Sequence, residues 1–249
     1  MSHSNISIFV PHKGCPNDCS FCNQRHITGI HYAPHASDVI DAVKAATTSN
    51  KYNPQTTEIA FFGGSFTAIN RNYMIELLRT AYAFVQNSIV SGIRISTRPD
   101  AIDQEILDIL KNYGVTSIEL GAQSLNDRVL RANNRGHTVK DVKKAAELIK
   151  DNGFSLGLQM MTGLYRDTDE YAIKTAEQII ELKPDTVRIY PTIVLRDTDL
   201  AALYSDNKYK PQTLDEAVAL CAKLLIMFHN ADINVIRLGL HSIEKEAYM

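Results

Sequence analysis

Short apolar segments alternate with longer amphipathic segments along the whole chain. The short segments are rich in isoleucine and valine, which favour β-strands. They predict strands at Ile6–Val10, Glu58–Phe62, Gly92–Ser96, Ser117–Leu120, Ser155–Met161, Thr186–Ile189 and Asn234–Leu238. The longer segments repeat apolar residues every three or four positions, as amphipathic helices do. They predict helices at Ser37–Thr48, Arg71–Gln86, Asp103–Tyr113, Val139–Asn152, Asp169–Leu182 and Leu214–Asn230.

Residues at the ends of the helical segments agree with these bounds. Ser37 and Asp103 are of the types that cap helix amino termini, and Gly114 and Gly153 follow predicted carboxyl termini. Long irregular segments are expected at the cysteine-containing loop after the first strand and at Leu195–Thr213.

The alternation of strands and helices predicts an α/β protein with a parallel sheet, because right-handed crossovers place the helices outside the strands. Seven strands are consistent with a curved, incompletely closed barrel, that is, a parallel-stranded partial (βα) barrel. A doubly wound open sheet is the structural alternative. The chain has 249 residues, 45% of them hydrophobic, and no low-complexity linker divides it, so we expect a single domain over residues 1–249.

Three cysteines near the amino terminus carry the strongest chemical signal. Cys15, Cys19 and Cys22 lie in GCPNDCSFCNQ with the spacing C-x3-C-x2-C. Thiolates are the usual ligands of iron–sulfur clusters. Three thiolates in one short loop therefore predict a 4Fe-4S cluster with one iron left open to bind a small molecule.

Zinc binding and disulfide formation are the alternative uses of these cysteines. A structural zinc site needs four ligands, and His12 or His26 would have to supply the fourth. Disulfides are disfavoured because the cysteine cluster has an odd count and no secretory segment precedes it. The remaining cysteine, Cys221, lies far away in an apolar helical segment and is interpreted as a small buried hydrophobe.

Composition argues against broad electrostatic binding of nucleic acid, although it leaves a local basic patch open, and against a membrane span. The net charge of −2 provides no broad basic field for nucleic acid. No apolar run approaches the roughly 18 residues that cross a bilayer, and the first residues lack the features of a signal peptide. We therefore expect no membrane association and, with thiols arranged for a metal, a reducing cytoplasm.

Polar and glycine-rich segments follow the predicted strands repeatedly. The cysteine loop follows the first strand, GGSF the second, STRPD the third, GAQS the fourth, QMMTG the fifth and YPT the sixth. In parallel α/β folds, active sites lie beyond the carboxyl ends of the strands. The adjacent Gly63 and Gly64 also allow a backbone to approach a ligand closely. Taken alone they favour a tight strand-to-helix turn, but the cysteine loop one strand earlier favours the ligand-binding interpretation.

These motifs resemble those of a known superfamily. The cysteine motif, with Phe21 before its last cysteine, resembles the cluster motif of the radical S-adenosylmethionine (SAM) superfamily, and GGSF resembles the motif that holds the methionyl amino group there. RISTRPD, ELGAQSLNDRVLRANNRGHT and VRIYPTIVLRDTDL resemble the radical domain of the Elongator catalytic subunit family and, more distantly, oxygen-independent coproporphyrinogen III oxidases. The resemblance extends from about Ile6 to Leu240.

The resemblance implies roles for individual residues. Cys15, Cys19 and Cys22 would ligate three irons, and the fourth iron would chelate the amino nitrogen and carboxylate of SAM. Arg135 would pair with the methionine carboxylate, a task that suits the forked donors of a guanidinium, although a surface salt bridge is the alternative. Ser96 stands where relatives often carry a glutamate, so a hydroxyl would replace that contact. The remaining implied SAM contacts are Phe21 at the adenine, Gln123 and Gln159 near the ribose, and Gly63, Gly64 and Ser65 at the methionine end.

The implied activity is reductive cleavage of SAM to a 5′-deoxyadenosyl radical that takes hydrogen from a substrate. The implied partners are a one-electron donor such as flavodoxin or ferredoxin and, through the Elongator-like likeness, transfer RNA. We expect that the chain, which runs to Met249, carries no acetyltransferase domain and lacks a carboxyl-terminal extension. A non-catalytic iron–sulfur electron carrier and a zinc-stabilised α/β binding module are the alternatives.

Overall fold

Seven strands form one sheet in the computed structural model, which describes residues 3–10, 15, 19–23 and 32–239. Every pair of neighbouring strands is parallel. The strands are β1 (Ser4–Val10), β2 (Thr57–Gly63), β3 (Gly92–Thr97), β4 (Val115–Gln123), β5 (Ser155–Thr162), β6 (Thr186–Pro191) and β7 (Asn234–Leu238). Each predicted strand is present, and most extend one to three residues further at an end.

The order of the strands decides between the two predicted architectures. A doubly wound sheet reverses its order at a switch point. Here the order runs from β1 to β7 without reversal, and within the described residues no pairing joins β7 back to β1. Right-handed crossovers then place every helix on the same face. The predicted partial (βα) barrel is therefore confirmed.

Eight α-helices lie in the described part of the chain. They are α1 (Ala36–Thr47), α2 (Arg71–Gln86), α3 (Gln104–Asn112), α4 (Asp127–Ala132), α5 (Val139–Asp151), α6 (Asp169–Leu182), α7 (Asp199–Ser205) and α8 (Leu214–Asn230). The predicted cap Asp103 is confirmed, since its side chain accepts a hydrogen bond from the Ile106 N–H. None of the helices described is both long and apolar enough to cross a membrane.

One predicted cap is wrong. Helix α1 begins at Ala36, so Ser37 lies inside its first turn, and the residue before the helix is His35. The His35 backbone N–H donates to the Asp38 carboxylate at 2.7 Å, which fixes the start of the helix there.

Two short helices were not predicted. Helix α4 has six residues and α7 has seven, so each completes fewer than two turns and offers little apolar periodicity to detect. The sequence does contain signals for these two helices, namely the amino-terminal caps Asn126 and Thr198. The expectation of an irregular Leu195–Thr213 is wrong over α7.

The two faces of the sheet differ in chemistry. Because successive side chains on a strand point to opposite faces, apolar and polar residues separate. The face toward the helices carries fully buried residues such as Ile59, Ile95 and Ile118, which belong to the main core. The opposite face lines the inside of the partial barrel, which we call the lumen. It carries polar residues that hydrogen-bond to one another: Glu58, Arg94, Glu119, Gln159 and Arg188.

We predict that Ile118→Ala lowers the free energy of unfolding by about 2–5 kcal/mol, because Ile118 is fully buried on the central strand β4 and its truncation leaves a cavity. Denaturant titration measures this. The matched control is Ile236→Ala on β7, whose side chain is 38% exposed and whose loss should cost about 1 kcal/mol or less. Equal losses for the two variants would contradict the assignment of the core to the helix side of the sheet.

Candidate cofactor site at the carboxyl ends of the strands

A cavity of about 250 Å³ lies at the carboxyl ends of the central strands. It contains all of the predicted site residues except Ser65. Its lining comprises Cys15, Cys19, Phe21, Cys22, Gly63, Gly64, Ser96, Thr97, Arg98, Gly121, Gln123, Arg135 and Gln159. Residues spread over 145 positions of sequence therefore meet at one place.

The Ser65 side chain is directed toward the end of β3. Its side chain is fully buried, and its Oγ lies 2.8 Å from Thr97 Oγ1 and accepts a hydrogen bond from the Arg98 N–H at 3.2 Å. Ser65 therefore links the turn after β2 to the end of β3. The Ser65 backbone N–H also hydrogen-bonds to the Cys15 thiol. The expected place of Ser65 at the methionine end stays a prediction.

The glycine turn after β2 presses against the end of β1. Gly63 has φ +110°, a conformation that favours glycine, and a Cβ there would lie 2.9 Å from the backbone oxygen of Val10. The Gly64 N–H donates to the same oxygen at 2.9 Å. Since β1 leads into the cysteine loop, this contact sets the position of the loop relative to β2.

Arg135 reaches the cysteines from the far side of the cavity. Its Nη1 donates to Cys19 Sγ at 3.1 Å and its Nη2 to the Gly121 carbonyl at 2.7 Å. Its Nε is buried without a hydrogen-bond partner among the described residues. No carboxylate of the described chain pairs with Arg135, so the surface salt bridge weighed as an alternative is not present there.

Cationic side chains balance the crowded thiols. Burial raises the pKa of the Cys15 thiol, and the nearby Cys19 raises it further, whereas the charges of Arg98 and Arg135 lower it. Arg98 also binds Asp100 through two parallel hydrogen bonds, one of them 2.9 Å long from Nε. Two guanidinium groups beside three thiols suit a group that carries negative charge when bound.

His137 supports Arg135 and was given no role from the sequence. Its Nε2–H donates to the Ala122 carbonyl at 3.1 Å, which leaves Nδ1 as an acceptor 3.5 Å from Arg135 Nη2. Burial, followed by the charge of Arg135, lowers the pKa of His137 to about 4, so the ring is neutral at pH 7. The sequence signal for this role is the position of His137, two residues after Arg135 in the RGHT motif.

A bulge at the end of β4 aims Gln123 into the cavity. The register between β4 and β5 shifts between Gly121 and Gln123, and Gln123 has φ +64°. The Gln123 side chain lies over Gly121, where a Cβ would come within 2.9 Å of its Nε2. Gly121 therefore makes room for both Gln123 and Arg135.

The cysteine loop is anchored by residues that the sequence did not single out. Ser20 Oγ donates to Asn133 Oδ1 at 2.8 Å, and the Leu200 N–H donates to the Ser20 carbonyl at 2.7 Å. Phe21 lines the cavity and also packs against a small apolar cluster formed by Val194, Leu200, Ala201 and Tyr209. Helix α7 thus holds the loop in place.

The donor set fits an iron–sulfur cube better than one small ion. The three cysteines are half-buried, and all line the same cavity. Among the described residues, no three His, Cys, Asp or Glu side chains converge on a single metal position. A cube offers a separate iron to each thiolate, so its ligands need no common point. His12 and His26, the candidate fourth zinc ligands, lie outside the described residues.

Comparison with known families identifies the superfamily of the chain. Residues 9–179 match the model of the radical SAM superfamily, and residues 184–247 match the radical SAM carboxyl-terminal domain. The chain belongs to the radical SAM superfamily. Within it, the chain is 33% identical over 195 residues to human Elongator complex protein 3. It is 35% identical over 127 residues to the tRNA uridine(34) acetyltransferase of Methanocaldococcus jannaschii.

These radical SAM relatives are longer proteins. The match to the human protein covers 68% of this chain and 35% of that relative, and the match to the archaeal acetyltransferase covers 50% and 24%. The chain therefore spans about a third or less of the curated relatives it matches.

Solved radical SAM structures share the fold. An amino-terminally truncated Elp3 of Methanocaldococcus infernus superposes with a TM-score of 0.76 at 18% identity, covering 97% of this chain and 61% of that one. Coproporphyrinogen III oxidase of Escherichia coli gives 0.62 at 19% identity, covering 92% and 52%. At these identities the likeness shows the radical SAM partial barrel.

We predict that Gly63→Ala lowers iron and sulfide incorporation at least about threefold, because the new Cβ would collide with the Val10 backbone and displace the cysteine loop. Iron and sulfide analysis after anaerobic reconstitution measures this. Gly153→Ala is the matched control, since Gly153 also has positive φ but has nothing within 4 Å of a new Cβ. Unchanged incorporation in Gly63→Ala would show that the turn does not position the loop.

Proposed function

We propose that this chain is a radical SAM enzyme whose cavity holds a 4Fe-4S cluster on Cys15, Cys19 and Cys22 together with one molecule of SAM. When reduced, such a cluster supplies the electron that cleaves SAM to methionine and a 5′-deoxyadenosyl radical, which takes a hydrogen atom from a substrate. The observation that carries this proposal is the meeting of the three thiols, the glycine turn and Arg135 in one cavity.

The polar lining supplies complementary groups for the two ends of SAM. Arg135 and Arg98 are cationic and lie beside the cysteines, so they suit a carboxylate held next to the cluster. Ser96, Gln123 and Gln159 line the wall formed by β3, β4 and β5 and suit the hydroxyl groups of a ribose. Phe21 offers an apolar surface for the adenine. The Gly63–Gly64 turn leaves backbone at the cavity wall, where an amino group can approach.

We propose a uridine of transfer RNA as the substrate class and a flavodoxin or ferredoxin as the electron donor. The names of the relatives, Elongator complex protein 3 and tRNA uridine(34) acetyltransferase, support the first part of this proposal. The net charge of −2 favours local contacts over an extended phosphate-binding face. Three thiols arranged for a metal in one loop fit the reducing cytoplasm that we propose as its compartment.

Anaerobic reconstitution with iron and sulfide, followed by dithionite and SAM, should yield 5′-deoxyadenosine and methionine in equal amounts. Liquid chromatography with mass detection measures both products. A reconstituted cluster that neither binds nor cleaves SAM would identify a non-catalytic electron carrier. Colourless protein with one equivalent of zinc would identify a zinc-stabilised module.

Two substitutions should separate cluster assembly from SAM binding. Cys19→Ala should abolish assembly, because it removes one of three ligands. Arg135→Ala should retain the cluster but weaken SAM binding about tenfold or more, because it removes a charge-assisted hydrogen bond. Iron analysis and equilibrium dialysis measure the two effects. Arg128→Ala, at an exposed arginine of α4, is the matched control. Wild-type affinity in Arg135→Ala would refute its assigned role.

The substrate proposal has a separate test. Unmodified transfer RNA carrying deuterium on its uridines should transfer deuterium to 5′-deoxyadenosine, and unlabelled RNA should not. Mass spectrometry of the 5′-deoxyadenosine measures the transfer. Cleavage of SAM without deuterium transfer would reject uridine of this RNA as substrate while leaving the cleavage reaction intact.

A further inference from the structure

A network of buried charges occupies the lumen beneath the cavity. Glu119 on β4 lies at its centre, with only 1% of its surface exposed. Its Oε2 accepts from Arg188 Nε at 2.7 Å, and its Oε1 accepts from Arg188 Nη2 at 2.9 Å and from Arg94 Nη1 at 3.3 Å. Arg94 in turn binds Glu58 at 2.9 Å. The two carboxylates and two guanidinium groups balance in charge.

One bond leads from this network to the cavity. Gln159 Nε2 donates to Glu119 Oε2 at 2.9 Å and to Ser96 Oγ at 3.0 Å. An amide nitrogen has two hydrogens, so both are used. A carboxylate bound by guanidinium groups only accepts hydrogen bonds, so the nitrogen of Gln159 must face Glu119 and its oxygen must face away.

The oxygen of Gln159 is therefore the atom offered to a ligand. Within the described residues, no protein group hydrogen-bonds to Gln159 Oε1, and Gln159 lines the cavity wall. An amide free to rotate would present its donor or its acceptor with similar ease. Held as it is, Gln159 presents only an acceptor, which matches a hydroxyl donor.

We propose that Glu119 is a positioning residue that fixes the Gln159 amide so that its oxygen accepts a hydrogen bond from a ribose hydroxyl of SAM. This inference rests on the proposed function. Glu119 itself does not line the cavity that contains the cysteines. Arg188 and Arg94 hold its carboxylate in place from β6 and β3, so the orientation of Gln159 is set by three strands at once.

A purely structural role for the ion network predicts a different result. In that case the loss of either lumen carboxylate would destabilise the fold and would change the affinity for SAM only through folding. Glu58 provides the comparison, because it shares Arg94 with Glu119 and is similarly buried but does not contact Gln159. Glu58→Gln and Glu119→Gln therefore make the same chemical change at two ends of one network.

The test compares affinities for SAM and for methionine in anaerobically reconstituted protein by equilibrium dialysis. Methionine shares the amino and carboxylate groups of SAM but lacks the ribose. Glu119→Gln should weaken SAM binding about three- to tenfold, the equivalent of one hydrogen bond, and leave methionine binding unchanged. Glu58→Gln should leave both affinities unchanged, whatever its effect on thermal stability.

A double-mutant cycle with Gln159→Leu isolates the coupling. If Glu119 acts through Gln159, then adding Glu119→Gln to Gln159→Leu should cause no further loss of SAM affinity. Additive losses, or an equal loss in Glu58→Gln, would overturn the proposal. If Glu119→Gln does not fold, the double variant Glu119→Gln/Arg188→Gln replaces it in the cycle. This double variant removes one negative and one positive charge, so the charge of the lumen stays balanced. Wild-type protein that forms its cluster but does not bind SAM would instead reject the proposed function itself.

Discussion

The alternation of side chains along the parallel strands is the constraint on which this molecule depends. One set of positions is apolar and packs beneath the helices, as Ile118 and Leu120 do on β4. The intervening set, which includes Glu119, faces the lumen and hydrogen-bonds across it. A shift of one residue in register would expose the first set and bury the second without partners. The same alternation therefore specifies both the core and the floor of the cavity.

The cysteine loop has little regular structure of its own in the described residues, so its neighbours position it. The Gly64 N–H binds the carbonyl at the end of β1, Asn133 binds Ser20, and Leu200 of α7 binds the Ser20 carbonyl. These contacts come from three separate parts of the chain. Contacts of this kind lower the entropic cost of ordering a loop around a bound group.

Charge is organised in two layers. At the mouth, Arg98 and Arg135 stand beside the thiols and favour a negatively charged group there. Below, Glu58, Arg94, Glu119 and Arg188 compensate one another inside the barrel. Gln159 connects the layers, since it binds Glu119 below and lines the cavity above. The neutral His137 holds Arg135 without adding a competing charge.

The sequence by itself determined the seven strands, six of the helices and the residues at the strand ends, because apolar periodicity and a fixed cysteine spacing are local signals. Only the tertiary structure decided the rest. It showed that the Ser65 side chain bonds to the end of β3, that His137 and Asn133 support Arg135 and the loop, and that Gln159 donates to Glu119. These are contacts between residues distant in sequence, and helices as short as α4 and α7 leave too few turns for periodicity to register. Residues distant in sequence become hydrogen-bond partners only when packing brings their strands side by side.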